Sequence, residues 1–324
     1  MRSNTILPWQ KAMIENIVSM DLPVHEKIVV NKNSLRPEIT DRNTKRLSIV
    51  TGIHGDELDG QYVCYEIVKR ISEQPENLKG IVDIYPAINP LGLDSGVRGI
   101  PMFDLDMNRV FPGIENGAMA EYIASKVVND IIGSDLCIDI HSSNIFLKET
   151  PQVRVNEDTA DKLLDYAKCL NVDFVWVFSS ITVLDATLAY SLNKLGVPTL
   201  VAEMGVGLRI DYEYCRQMTE GIFNLMKAMG IWIGETTSVK KPIMSTEGAV
   251  TVFHSEVSGM FVSYIHKLGP VKKDEHIGDV IEPISGKVLQ SVYAPADGII
   301  FTLREHPIVY KGAILARVHG GSNG

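Results

Sequence analysis

Residues 46–60 read RLSIVTGIHGDELDG, and the order of residue types in them decides the fold. A largely apolar run from Leu47 to Val50 stops at Thr51-Gly52. It is followed by a stretch from Leu58 to Ile71 in which apolar residues recur every three and four positions. That is a strand entering a helix through a tight turn, the unit from which parallel sheets are built. His54 and Glu57 lie in the turn three positions apart, so they share a face where the helix begins. One imidazole nitrogen and one carboxylate can therefore meet a single ion.

Outward from this stretch the same alternation continues to about residue 230. Further strands are expected at IVDIYPAI (81–88), LCIDI (136–140), FVWVF (174–178) and PTLVAE (198–203). Helices are expected at Met119 to Ile132, Thr159 to Leu170, Asp185 to Leu195 and Tyr212 to Met229. The predicted fold class is α/β, a mostly parallel or mixed sheet flanked by helices. Beyond Gly230 the helical period disappears, and from Pro242 to Val318 short β-branched runs alternate with SG, LGP, IGD, SGK, ADG and KGA turns. A small all-β domain resembling a barrel-sandwich is expected there. The polar GETTSVKKP (234–242) supplies the junction, giving a catalytic domain over 1–238 and a β domain over 239–324.

Composition narrows the function classes. With 45% apolar residues in 324, the chain can bury a sizeable core. A net charge of −9 without a basic block argues against a grip on nucleic-acid phosphates. The N-terminal MRSNTILPWQKAMIENIVSMDLP breaks its apolar residues with polar ones, so no signal-peptide core is expected, and no later run reads as a membrane span. Cys64, Cys137, Cys169 and Cys215 are too few and too scattered for a disulfide framework, and none forms a CxxC pair. A cytoplasmic protein is the expectation, with no nucleic acid and no membrane as partner; a homo-oligomer stays open.

A third ligand is offered by His141 in LCIDIHSS, again just past a buried strand. Two nitrogens and one oxygen suit zinc, with a fourth position for water. Glu203 ends the strand in VPTLVAEMG, where a carboxylate after apolar residues is costly without a partner or a task. From there it can take a proton from water and return it to a leaving nitrogen. Residues 89–113, NPLGLDSGVRGIPMFDLDMNRVFPG, are too rich in Gly, Pro and Asp for a regular element and read as a functional loop. Its cations are Arg98 and Arg109. One can grip a substrate carboxylate, with Asn108 adding donors, while the other holds a developing oxyanion. Each residue alone has a plain structural explanation, but together they fall at the carboxyl ends of strands, where open α/β sheets bind ligands.

The ordered motifs HGDE (54–57), NP (89–90), Arg98, DMNRVFPG (106–113), DIHSS (139–143) and VAEMG (201–205) resemble the succinylglutamate desuccinylase/aspartoacylase family, a branch of the zinc carboxypeptidase superfamily. The resemblance implies one zinc per chain on His54, Glu57 and His141, with Glu203 as general base. It further implies Arg98 as the carbonyl-polarising group, Asn108 and Arg109 as the site of a substrate carboxylate, and Asp106 as the group orienting His54. The implied reaction is hydrolysis of the amide of an N-acylated amino acid or related small molecule, a carbon–nitrogen bond other than a peptide bond. The alternatives are a metallocarboxypeptidase acting on short peptides and a catalytically silent small-molecule binding protein of the same fold. Within the β region, residues 285–318 also resemble domains that carry biotin or lipoate, with Lys287 near the modified position. Its neighbours Gly286 and Val288 are not those that modifying enzymes read, so an unmodified β domain is expected. His254 and His266 are candidates to face the cleft, and Trp176 and Phe178 read as core.

Overall fold

A computed structural model describes residues 13–178 and 185–320; residues 1–12, which form the first half of the stretch read above for a signal peptide, lie outside them. The chain enters through the hairpin β1 (Met13–Asp21) and β2 (Lys27–Leu35). It continues through β3 (Arg46–Val50), α1 (Asp59–Glu73), β4 (Ile81–Tyr85), the short α2 (Pro90–Ser95), α3 (Met119–Ile131), β5 (Leu136–Ser142), β6 (Leu147–Asn156), α4 (Ala160–Ala167), β7 (Phe174–Phe178), α5 (Leu188–Lys194), β8 (Thr199–Gly205) and α6 (Tyr212–Ala228). The remainder is β structure: β9 (Ile243–Thr246), β10 (Val250–His254), β11 (Gly259–Ser263), β12 (Gly269–Val271), β13 (His276–Glu282), β14 (Lys287–Tyr293), β15 (Gly298–Arg304), β16 (Ile308–Val309) and β17 (Ile314–His319).

Strands β4, β3, β5 and β8 lie side by side and parallel, as the alternating pattern predicts. They are extended by β2 and β1 on one side, and by antiparallel β6 and then β15, β17 and β10 on the other. Alternation along each strand sorts its side chains between two helix layers. Leu136, Ile138 and Ile140 of β5, with Leu200, Ala202 and Met204 of β8, pack with Ile67 of α1 and Phe223 of α6 in one core. Cys137 instead joins Ala124 and Val127 of α3 and Leu188 of α5 in a second core on the opposite face. By the same period, Asp139, His141, Val201 and Glu203 face that second side. The pattern therefore fixes which face of the sheet holds the site.

Three features escape the sequence reading: the β1–β2 hairpin, β6, and the six-residue helix α2 (Pro90–Ser95), which forms inside the segment 89–113 expected to hold no regular element because Asn89 caps it and Pro90 opens it. The β1–β2 hairpin carries too many polar residues to stand out, and β6 contains Pro151, which argues against a central strand. Pro151 is tolerated because it sits in an irregularity of the β6–β8 pairing between Glu149 and Gln152. There β6 exchanges its outer neighbour, pairing with β15 before the proline and with β7 after it. Residues 235–242, at the expected junction, hold no helix or strand, yet β9 pairs with β7 and β15 with β6, so the sheet runs on across it. The C-terminal region is two facing antiparallel layers around Phe261, Ile277, Val280, Ile300 and Leu315. Lys287 is exposed and opens β14 opposite Glu282, one rung below the turn. No described helix is long and apolar enough to cross a membrane, and all four cysteines are free.

Asp59, the first residue of α1, ties the ends of several elements together. Its Oδ1 accepts from the Asp211 backbone at the start of α6 (2.7 Å), and its Oδ2 accepts from Ser142 Oγ at the end of β5 (2.9 Å). Gly205, which ends β8 at φ +66°, has no room for a side chain because a Cβ there would fall 2.1 Å from Asp59 Oδ2. Burial pushes the Asp59 carboxyl up to about 6, against the lowering effect of these donors. Since this lies above the ordinary 3.8, ionised Asp59 costs stability at neutral pH, and the cost disappears as pH falls from about 6 towards 3.8. The difference corresponds to roughly 3 kcal/mol. Asp59→Asn should accordingly flatten the rise in urea midpoint as pH falls from about 6 towards 3.8. A pH dependence identical to that of the parent protein would contradict this.

Candidate active site

The turn that carries His54 and Glu57 is held from beneath by backbone. Asn89 N donates to Gly52 O (2.7 Å), and Gly55 N donates to Arg98 O (3.3 Å). Asn89 also caps α2, its Oδ1 accepting from Gly92 N at 2.9 Å. The turn and α2 approach so closely that a Cβ on Gly55 would lie 1.9 Å from the Gly92 carbonyl carbon. The NP pair and the HGDE turn thus form one packed unit that brings Arg98 up to the site.

Within it, His54, Glu57 and His141 converge, all three buried. His54 Nδ1 lies 2.7 Å from Glu57 Oε1, and His141 Nδ1 lies 2.8 Å from Glu57 Oε2. Their ligand atoms are all within 4.8 Å of one another, and the imidazole rings are 5.0 Å apart. Each outer ring nitrogen meets another carboxylate: His54 Nε2 is 3.0 Å from Asp106 Oδ1, and His141 Nε2 is 3.1 Å from Asp139 Oδ2. This matches the outer support usual for metal-binding histidines. Burial alone would lower the His54 pKa, but the Asp106 and Glu57 carboxylates reverse this and raise it; the same balance raises His141 through Asp139 and Glu57. Burial would raise Glu57, and the two imidazoles hold it below the ordinary carboxylate range. Two imidazole nitrogens and one carboxylate converging in this way fit a divalent cation of zinc's preference.

Asp106 organises the adjoining loop as well. Its Oδ1 accepts from Asn108 N (2.8 Å), and its Oδ2 is 3.4 Å from Arg98 Nη2. Arg98 Nη1 also donates to Glu57 Oε1 at 3.0 Å. Asn108 Oδ1 accepts from Leu188 N at the start of α5 (2.9 Å), which leaves Nδ2 as the amide's donor side, and Arg109 Nη1 reaches Asn108 O (2.7 Å). Glu203, opposite His141 in the strand register, places Oε1 3.1 Å from Arg154 Nη1. Burial raises the Glu203 pKa even though Arg154 and His141 act to lower it.

All eight side chains expected from sequence line one cavity of about 800 Å³. Phe178, read as core, lines it too, whereas His254 and His266 are exposed and are not among its lining residues. Sequence reading missed Asp139, Glu149, Arg154 and Arg317, which also line it. Asp139 carried a usable signal, since it precedes His141 by two on a strand and so shares its face. The others lie on β6, which pairs with β8, and on β17, two strands further along the sheet, and no local pattern reveals either placement.

Residues 43–229 match the succinylglutamate desuccinylase/aspartoacylase catalytic domain. Over 273 residues the chain is 24% identical to the N-alpha-acetyl-L-2,4-diaminobutyric acid deacetylase of Halomonas elongata, covering 82% of this chain and 79% of that protein. Its fold is shared with a succinylglutamate desuccinylase/aspartoacylase from Rhodobacter sphaeroides, with TM-score 0.75, 23% identity and coverage of 93% and 91%. The product-bound ectoine utilization protein EutE (DoeB) from Ruegeria pomeroyi gives TM-score 0.77 at 20% identity, covering 97% of both chains.

The contact beneath the HGDE turn makes Gly55 the most exacting position in the loop. Gly55→Ala should push the turn off α2 and cost about 1–3 kcal/mol, as overpacking does. An unchanged urea midpoint would show that the turn and α2 are not in contact.

Proposed function

The chain belongs to the succinylglutamate desuccinylase/aspartoacylase family, and from that premise we propose that it is a zinc-dependent deacylase that hydrolyses the amide of a small N-acylated amino acid. The observation that carries this reading is the convergence of two imidazole Nδ1 atoms on one carboxylate, with their outer nitrogens at carboxylates and Glu203 opposite His141 on the neighbouring strand. Held by His54, Glu57 and His141, zinc would supply a Lewis acid for the scissile carbonyl and an acidified water.

The protein's own groups complete the chemistry. Glu203 takes a proton from water as the oxygen adds to the carbonyl carbon, and delivers it to the nitrogen as the carbon–nitrogen bond breaks. Burial raises its pKa above the ordinary carboxylate value, the direction that makes it a better proton acceptor. Arg98 lies against Glu57 and can present a guanidinium N–H to the oxygen that gains charge. Arg109, with the Nδ2 of Asn108, grips the substrate carboxylate and sets the amide over Glu203. Asp106 acts on His54 by fixing the ring orientation. The Halomonas elongata relative is named for removing an acetyl group from an amino acid, which supports an acyl amino acid as the substrate class.

Zinc-loaded protein assayed on acetyl, succinyl and longer acyl amino acids beside dipeptides tests the reading. Acyl amino acids should be turned over and dipeptides should not; preference for dipeptides would make the protein a carboxypeptidase, and inactivity on both a binding protein. Glu203→Gln should lower kcat by about 10²–10⁴. Arg109→Ala should chiefly raise KM, roughly ten- to a hundredfold, as expected for losing a hydrogen bond to a charged group. Full activity in Glu203→Gln would remove it from the role of base.

A further inference from the structure

Four charged side chains form a row across the sheet, and the reaction above uses only the first. Glu203 on β8 meets Arg154 Nη1 on β6 at 3.1 Å. The other arm of that guanidinium, Nη2, donates to Glu149 Oε2 on the same strand at 2.7 Å. Glu149 Oε1 in turn accepts from Arg317 Nη1 on β17 (2.8 Å) and from Thr302 Oγ1 on β15 (3.2 Å). The strand register sets this order, with Glu149 opposite Gly205 on one side and Thr302 on the other, and Thr302 opposite Arg317. Charges alternate along the row, and Glu149 at its centre is 1% exposed. Both guanidinium groups also lie near the Trp176 ring, at 6.0 and 5.7 Å from its centre.

A buried carboxylate without partners is strongly unfavourable, so each member depends on the next. Arg154 contacts Glu203 through a single oxygen, Oε1, and cannot swing away without leaving Glu149 short of a donor. Glu149 cannot follow it, because Arg317 and Thr302 hold its second oxygen. We propose that Arg317, Glu149 and Arg154 are positioning residues that brace the Glu203 carboxylate, so that the C-terminal β region takes part in the reaction through β17. The brace rests on Glu203 being the base. The competing role for the two arginines is direct contact with substrate, since both line the cavity.

The test compares Arg317→Met, Arg317→Lys, Glu203→Gln and the Arg317→Met/Glu203→Gln double variant in zinc-loaded full-length protein, on an acyl amino acid that it hydrolyses. Arg317→Met should lower kcat by roughly ten- to a hundredfold, the scale of a slight misplacement of a catalytic group, with bound zinc unchanged. KM should stay within about threefold of the parent value, and Arg317→Lys should recover most of the loss. In the Glu203→Gln background Arg317→Met should cost less than about twofold, because the group it positions is already gone. Should Arg317→Met not fold, Arg317→Gln carries the same comparison. A rise in KM with unchanged kcat would make Arg317 a substrate contact and overturn the brace, as would an equal loss in both backgrounds. Glu203→Gln retaining activity would be a different failure, removing the base itself.

Discussion

The structure turns on one buried carboxylate shared between two imidazoles. Glu57 presents one oxygen to His54 and the other to His141, and all three side chains are withdrawn from water. Such a group survives in a protein interior only if its charge is matched and its surroundings are rigid. The fold meets both needs at the carboxyl ends of β3 and β5, where parallel neighbours bring residues distant in sequence to adjacent rungs. Asp106 and Asp139 then hold the far side of each ring, so the two Nδ1 atoms face Glu57 together.

Rigidity at this point is built from backbone as much as from side chains. The HGDE turn rests on α2 with no space for a methyl group, and Asp59 fastens the start of α1 to the ends of β5 and β8 and the start of α6. The loop from Arg98 to Arg109 is drawn in by Asp106, which bonds both His54 and the Asn108 backbone. A cavity whose floor is the open face of the sheet therefore has fixed donors and acceptors on several sides, as a site for a small polar substrate requires.

Much of this was legible in sequence because the signals are local. Strand periodicity placed β3, β4, β5, β7 and β8, and three-residue spacing paired His54 with Glu57. What stayed hidden depends on long-range pairing. Pro151 and the charges of β6 disguise a strand that lies between β8 and the C-terminal layer. Glu149, Arg154 and Arg317 look like ordinary surface residues until β6, β15 and β17 are laid side by side. Phe178 belongs to an apolar run, and it lines the cavity because it pairs opposite Asn156 of β6, a placement the run itself does not encode.

The proposed chemistry depends on a metal at His54, Glu57 and His141, and its stoichiometry is measurable directly. Zinc should be found at one equivalent per chain in protein purified without chelator, and its removal should abolish hydrolysis of acyl amino acids until zinc is restored. In His141→Ala both the bound zinc and the activity should be lost together. Full hydrolysis by metal-free protein, or a full equivalent of zinc retained in His141→Ala, would contradict the assignment of His54, Glu57 and His141 as the metal centre.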